Sequence, residues 1–380
     1  MIRIGFTGGG TGGHFYPLVA VAEEIRHKYP DEDISLFYFG ESPYNAQDLK
    51  SNNIHFVHIT SGKSRLYSSF QNFLDYFKVA FGILQALWKL AIVYPDVIFS
   101  KGGYVSFPIL FAARLLFIPI VVHDSDTVPG RATIYSSKFA RVVCVAWQEG
   151  GHALEEKYGV PHDKIVYTGL PIRFALNPIH PRESYAFSEF NRFDPRIPTV
   201  LVIGGSQGSE NINNVVIKSL PQILPNVQVI HQTGPANFDR VKKLTDELLR
   251  DLPEKKSYIP IANLSTAEMR NAYSMVSLVI SRGGSQILEF HAYGIPSIVI
   301  PLPEEISRDQ RQNSYASMRR GASIVIEEKN LTPTILINEM KRLIVDKDLL
   351  SQMKQDAKAA AKLDGAEQIA DILIHIATTK

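Results

Sequence analysis

Cysteine is all but missing from this 380-residue chain, which holds only Cys144. No disulfide can form within the chain, so a covalent framework of the secreted kind is excluded and a reducing cytosol is the expected setting. Net charge is nearly missing as well: 40 Lys and Arg face 38 Asp and Glu, which leaves +2. No general affinity for polyanions follows, and any basic patch must be local. Long apolar runs are lacking too, since none reaches the ~18 residues that span a bilayer. The nearest, PILFAARLLFIPIVV, carries Arg114 mid-run and Pro119 near its end. A secretory leader is not expected, because the apolar stretch IRIGF ends at glycines with no cleavage site behind it. What remains is a globular composition, 45% hydrophobic and 21% charged, with material for two cores.

Short apolar runs alternate with helical periodicity. IRIGFT reads as a strand and FYPLVAVAEEIRHKY as the helix after it. DISLFYFG, DVIFS, PIVVHD, RVVCVAW and KIVYTG continue the strands. This order predicts a parallel sheet covered on both faces. Residues 169–200 are proline-rich and weakly periodic, and read as a linker. The pattern then restarts with TVLVIGGSQGSENINNVVIKSL, followed by the strands VQVIHQTG, KSYIPI, LVISRGG and PSIVIPL. The expectation is α/β: two Rossmann-like, doubly wound parallel-sheet domains, with a helical tail closing the chain.

Each domain has a glycine-rich turn after its first strand, TGGGTGGH at 7–14 and GGSQGS at 204–209. Glycine at such a corner lets backbone N–H groups approach a phosphate with no Cβ in the way, and the next helix adds the positive end of its dipole. Tight turns also use glycine for steric reasons alone. Gly8, Gly10 and Gly13 satisfy G-x-G-x-x-G, and Glu41 ends the second strand, which raises a dinucleotide-binding oxidoreductase. That reading accounts for neither the second loop nor His14. His14 stands where the first helix begins. Histidine titrates near neutrality and the helix N-terminus disfavours its protonation, so it is a candidate general base. It could equally hydrogen-bond the loop into shape.

GGTGGHFYPLVAVAEEI, GGYVSFP, GLPIR, GGSQGSENIN, HQTG, SRGGSQILEFHAYGIPSIVIPLP and DQRQNS, in this order, resemble the MurG family. These are the bacterial N-acetylglucosaminyltransferases that complete the lipid-linked peptidoglycan precursor. The resemblance runs from residue 4 to about residue 325. It implies a GT-B fold with the active site in a cleft between the two domains. It implies transfer with inversion from UDP-N-acetylglucosamine to the muramoyl 4-hydroxyl of undecaprenyl-diphospho-N-acetylmuramoyl-pentapeptide, with no metal or other cofactor. Residues 1–172 would form the acceptor and membrane domain, 173–358 the UDP-sugar domain, and 359–380 a helix packing back on the first domain. The protein would sit at the cytoplasmic face of the cell membrane, serving cell-wall synthesis and hence cell shape and division.

The resemblance also implies site residues. Thr11, Gly12 and Gly13 would contact substrate beside His14. In VVHDSDTVPG, Asp126 stands where the family has Asn; its carboxylate could accept a sugar hydroxyl or act as the base. Read alone, Asp124 and Asp126 also resemble a D-x-D metal site. Arg173 would meet a phosphate or sugar oxygen. Ser206 and Gln207 would hold the diphosphate and Ile259 would flank uracil. Gly284, Ser285 and Gln286 would face the donor. Glu289 would take the ribose hydroxyls, although one residue fewer separates it from the preceding arginine than the family usually shows, worth about 100° of helix rotation. Gln310 and Asn313, three apart on one helical face, would bind the transferred sugar.

Phe70, Phe73, Leu74, Phe77, Phe81, Leu84 and Trp88 form one helical stripe, with Lys63, Arg65, Lys78 and Lys89 in or near it. A helix covering the sheet explains most of the stripe, and partial contact with an anionic membrane surface is the further expectation. Competing functions are a sister transferase with another lipid acceptor, a UDP-sugar 2-epimerase, and an inactive nucleotide-sugar binder.

Overall fold

The structure is a computed structural model that describes residues 1–62, 70–180 and 189–379, with the side chains of 70–77, 191 and 308 left aside. The expectations for Lys63 and Arg65, and for the side chains of Phe70, Phe73, Leu74 and Phe77, lie outside the described residues.

The chain divides into two compact units, Met1–Phe174 with Lys362–Lys380, and Ala175–Ala361. The first runs β1 (Ile2–Thr7), α1 (Gly12–Lys28), β2 (Ile34–Gly40), α2 (Ala46–Ser51), β3 (Ile54–His58), α3 (Phe70–Val93), β4 (Val97–Ser100), α4 (Phe107–Leu115), β5 (Ile120–Asp124), α5 (Arg131–Ser137), β6 (Val142–Val145), α6 (Gln148–Tyr158) and β7 (Ile165–Tyr167). Among the described residues its sheet has the order β3-β2-β1-β4-β5-β6-β7, with parallel pairing throughout. Neighbouring residues of a strand point to opposite faces, so each strand feeds two cores. Phe99 and Val121 pack with Ile4, Phe6, Phe15, Leu18 and Ile25 under α1. Ile98, Ile120 and Val122 pack with Ala86, Leu90, Ile109 and Ala113 under α3 and α4. Fully burying one such side chain contributes ~1.5–3 kcal/mol, and this two-sided burial is why β4 and β5 read as unbroken apolar runs.

The second unit repeats the scheme with β8 (Thr199–Ile203), α7 (Glu210–Ile223), β9 (Gln228–Gln232), α8 (Phe238–Leu248), β10 (Tyr258–Ile261), α9 (Thr266–Met275), β11 (Leu278–Ser281), α10 (Ile287–Tyr293), β12 (Ser297–Val299), α11 (Arg308–Arg319), β13 (Ser323–Val325), α12 (Pro333–Val345) and α13 (Lys347–Ala360). Its parallel sheet has the order β10-β9-β8-β11-β12-β13. The last helix, α14 (Gly365–Thr378), belongs to the first unit. Ile369, Ala370, Leu373 and Ile376 enter the α1 core, and Lys28 ties its outer face through Glu367 at 2.7 Å and Asp371 at 2.8 Å.

Two strands were not foreseen. β3 is an edge strand with one buried residue, Ile54, and two histidines, so it lacks the apolar density of its neighbours. β13 has only three residues. α1 also starts three residues earlier than its periodicity predicts, so Gly12, Gly13 and His14 form its first turn.

Candidate active site

In the first unit, three loops meet beyond the carboxyl ends of β1, β4 and β5. The first is the glycine loop. Gly10 sits at φ +93, a conformation that disfavours any side chain, and a Cβ there would press on the Tyr104 ring at 3.2 Å. The hydroxyl of Tyr38 donates to the Gly8 carbonyl. Thr11 precedes α1, yet its hydroxyl does not cap the helix; it lies 2.9 Å from Nδ1 of His14. The first-turn amides of Gly12 and Gly13 have no partner within the helix by geometry, which leaves them for an anion. His14 is half-buried. Its pKa falls to about 4, first because burial disfavours the cation and then because Lys101 lies near, with Asp124 opposing. The imidazole is therefore neutral and able to accept a proton at neutral pH.

The second loop, after β4, brings Gly103 against the first, where a Cβ would stand 3.1 Å from the Gly9 carbonyl oxygen. The third loop follows β5. Asp124 accepts from the backbone N–H of Asp126 at 3.0 Å and of Gly130 at 2.9 Å, so both of its oxygens brace the turn. Trp147 Nε1 donates to the Ser125 carbonyl at 3.0 Å. Asp126 is partly exposed at the tip. His123 is fully buried, with Nε2 2.9 Å from the Gly169 carbonyl, which makes it a brace for the end of β5.

Arg173 stands apart from these loops. Its guanidinium donates to Glu23 at 2.8 Å and Asp48 at 3.3 Å, and its side chain is 12% exposed. Glu23 also accepts the Phe174 N–H at 2.8 Å. The Arg173–Glu23 pair fastens the exit of the first unit to α1.

In the second unit, the glycine loop and the turn before α10 line one cavity of about 430 Å³. Gly204, Gly205, Gly208, Arg282, Gly284, Gln286 and Gln310 are on its walls. Gly208 has φ +77, and a Cβ there would fall 1.9 Å from the Thr233 carbonyl oxygen. Ser209 caps α7, accepting from Ile212 N–H at 3.4 Å, and receives Arg282 Nη2 at 2.7 Å. The same Nη2 donates to Glu328 at 2.5 Å. Arg282 thus ties the loop after β8 to the turn after β11 and presents positive charge beside the amides of the loop. In the sequence it serves only as the landmark before Glu289, although its place directly before the glycines of SRGG is the signal for it.

The other expected donor residues are placed variously. Ser206 and Gln207 are exposed at the loop tip. Gly284 has open space where a Cβ would go, and Ser285 follows it on a half-exposed turn. Asn313 is fully buried and donates to the Gly283 carbonyl at 3.2 Å, so it holds the turn from behind. The Ile259 side chain is in the core with Leu201, Ile230 and Phe290, which leaves only its backbone for a base. Before α10, Ile287, Leu288 and Glu289 N–H groups bond to Gly284, Ser285 and Gln286 carbonyls at 3.2, 3.0 and 2.9 Å. These i to i−3 bonds make a tight 3₁₀-like entry. Glu289 then meets Tyr273, whose hydroxyl donates to it at 2.8 Å and accepts from Gln286 at 2.9 Å. Burial raises the Glu289 pKa to about 7, with the Tyr273 bond opposing.

Glu41, the acidic residue a dinucleotide fold would use, accepts from Ser61 at 2.8 Å. On α3, Phe81, Leu84, Trp88 and Ile92 are exposed on one ridge, Trp88 at 66%. Leu115 at the end of α4, which packs on α3, and Phe117 just after it are exposed, Phe117 at 91%. No described helix is long and apolar enough to cross a membrane.

Residues 4–145 match the glycosyltransferase family 28 N-terminal domain and residues 199–369 its C-terminal domain. A UDP-N-acetylglucosamine–N-acetylmuramyl-(pentapeptide) pyrophosphoryl-undecaprenol N-acetylglucosamine transferase of Treponema denticola is 33% identical over 99% of this chain and 98% of its own. The crystal structure of Acinetobacter baumannii MurG superposes with TM-score 0.72 at 22% identity, covering 99% of this chain and 100% of that one. A UDP-N-acetylglucosamine 2-epimerase of Neisseria meningitidis, solved with UDP-N-acetylglucosamine bound, gives 0.70 at 14% identity over 99% and 100%. The two structures share the GT-B fold with this chain. The likeness in sequence goes further than fold: the chain belongs to the MurG family of UDP-N-acetylglucosamine-dependent glycosyltransferases.

Proposed function

We propose that this protein transfers N-acetylglucosamine from UDP-N-acetylglucosamine to the muramoyl 4-hydroxyl of undecaprenyl-diphospho-N-acetylmuramoyl-pentapeptide, with inversion, the step that makes lipid II from lipid I. The observation that carries the reading is a pair of glycine corners with opposite equipment, one beside a neutral histidine and one opening on an amide-lined cavity. Full-length identity to curated transferases supports it.

The donor sits on the second unit. Its diphosphate lies against the N–H groups of the 204–209 loop and the 283–285 turn, with Arg282 offsetting charge on the leaving UDP. Ser206 and Gln207 reach it from the loop tip. Gln286 and Gln310 hold the sugar hydroxyls, Glu289 the ribose, and the Ile259 backbone the uracil. Asn313 serves the sugar through the Gly283 turn that it fixes. The acceptor sits on the first unit, with its diphosphate at Thr11, Gly12 and Gly13. His14 takes the proton of the attacking hydroxyl, and Asp126 accepts a hydrogen bond from the acceptor sugar. We assign Arg173 to the exit of the first unit, on the strength of its two carboxylate partners. The first unit, with its returning helix, forms the acceptor domain and the second unit the donor domain.

The exposed ridge of Phe81, Leu84, Trp88 and Ile92, joined by Leu115 and Phe117, supports contact with the cytoplasmic membrane surface where the lipid acceptor resides. Lys78 and Lys89 lie on the same helix.

The test is incubation of the purified protein with radiolabelled UDP-N-acetylglucosamine, with and without a short-chain lipid I analogue. Label is expected in the lipid product only when both substrates are present. A UDP-sugar 2-epimerase, which the fold also accommodates, alters the donor alone. That result, with no lipid product, replaces the transferase reading.

A further inference from the structure

The segment HQTG, residues 231–234, has no part in the scheme above, yet it lies against the donor loop. β9 stands between β8 and β10 in the sheet, so its carboxyl end comes between the loop after β8 and the loop after β10. Gln232 ends β9 and is 2% exposed. Its Nε2 donates to the Gly205 carbonyl at 3.3 Å, and its Oε1 accepts from the Leu264 N–H at 3.0 Å. One planar amide thus joins a carbonyl of the 204–209 loop to an N–H of the loop after β10. A carboxylate could serve only the N–H, and a hydrocarbon neither.

The neighbours of Gln232 hold the same two loops. The N–H groups of Thr233 and Gly234 donate to the Ile261 and Ala262 carbonyls at 2.9 and 3.1 Å. On the other side, Gly234 has φ +85, and a Cβ there would fall 2.1 Å from the Gln207 carbonyl oxygen. Its lack of a side chain lets the two backbones touch. The Thr233 carbonyl accepts from Asn213 Nδ2 at 2.9 Å. With that nitrogen engaged, Asn213 Oδ1 accepts from His231 Nε2 at 3.0 Å, and His231 Nδ1 accepts from the Tyr258 hydroxyl at 2.9 Å. Asn213, His231 and Thr233 have no exposed surface. Every donor in this chain has a single direction, which ends on the carbonyl that faces Gly208.

We propose that Gln232 is a positioning residue for the donor: its side-chain amide locks the 204–209 loop to the loop after β10, so that two loops in fixed register meet the diphosphate and the base of one nucleoside diphosphate.

The inference rests on the donor-side reading of the second unit, in which the 204–209 loop takes the diphosphate and the Ile259 backbone of β10 takes the base. A ligand that touches one loop gains nothing from their register. A ligand that spans both gains from having it set before binding, because no ordering is then left to do. The amide of Gln232 is therefore expected to matter for UDP and hardly at all for uridine. A residue that only fills space would weaken both alike.

The experiment is calorimetric titration of the full chain with UDP, and with uridine by competition, in the wild type, Gln232→Leu and Gln232→Glu. In Gln232→Leu, UDP affinity is expected to fall about tenfold, the scale of two neutral hydrogen bonds, with uridine affinity within about twofold of wild type. Gln232→Glu has nearly the same shape and adds a pH signature. At about pH 8 its carboxylate keeps the Leu264 N–H but has no proton for the Gly205 carbonyl, and UDP binds about tenfold more weakly or worse. As pH falls to about 5.5 a buried carboxyl takes up its proton and can donate to Gly205. UDP affinity, divided by that of the wild type at the same pH, is then expected to recover severalfold. Unchanged UDP affinity in both variants overturns the proposal. So does an equal loss of UDP and uridine in Gln232→Leu, or a flat ratio across pH in Gln232→Glu, and the latter decides alone if Gln232→Leu does not fold. A wild type that binds UDP but transfers no sugar ends the transferase reading and leaves these titrations to judge Gln232. A wild type that binds no UDP ends both.

Discussion

The glycine corners of the two units start alike and end differently. Both follow the first strand of a parallel sheet and both lead into a helix. At 8–14 the surroundings are titratable and charged: His14, Lys101, Asp124 and Asp126 gather within one set of loops. At 204–209 the surroundings are hydroxyls, side-chain amides, the carboxylate of Glu210 and one arginine locked by Ser209 and Glu328. The first helix has no side-chain cap, because Thr11 is turned to His14, whereas Ser209 caps the second. The same backbone device thus serves two purposes. Placed beside a neutral imidazole it suits proton removal, and placed beside a fixed guanidinium it suits holding and releasing a diphosphate.

The largest effect that probes this contrast is expected from His14→Ala. Loss of a general base lowers kcat by roughly 10²–10⁴-fold, with the KM for UDP-N-acetylglucosamine nearly unchanged. A parallel change in donor KM would blur the division between the corners. Next is Gly208→Ala, where the new Cβ falls 1.9 Å from the Thr233 carbonyl oxygen at φ +77. Strain of order 1–3 kcal/mol in the loop is expected to weaken UDP binding by at least tenfold in calorimetry and to leave the His14 titration untouched.

A smaller effect is expected from pH at Glu289. Its pKa is raised to about 7, so the carboxylate that would accept the ribose hydroxyls is lost as pH falls from 8 to 6. The donor KM is expected to rise about tenfold over that interval in the wild type, by the same factor that the ionised fraction falls. Glu289→Gln should show a raised and pH-independent KM; a persistent pH dependence would place the titrating group elsewhere. The smallest effect is Gln310→Ala, removal of one neutral hydrogen-bonding side chain from the cavity wall, worth ~0.5–1.5 kcal/mol or up to about tenfold in donor KM.

The strands at the sheet centres were legible because two-sided burial writes them as unbroken apolar runs, as in DVIFS and TVLVI. β3 and β13 were not, being respectively an edge strand and a three-residue one, with too little apolar signal. Both glycine corners were legible from spacing alone. The partners of the side chains near them were not. Arg173 is one case: the two carboxylates it meets lie 125 and 150 residues away in sequence. Lys101 carries no mark in the sequence, since only the fold brings Ser125 to it. The shortened link before Glu289 was visible, but its outcome depended on the 3₁₀-like entry to α10 and on Tyr273 from another helix.

The claim on which the rest depends is that main-chain amides and Arg282 of the second unit hold the donor's pyrophosphate unaided by a cation. Calorimetric titration of UDP into the intact protein, in excess chelator and again with added magnesium, measures this directly. Equal affinity in the two titrations is expected, together with its loss in Gly208→Ala. Binding that occurs only with magnesium contradicts the claim.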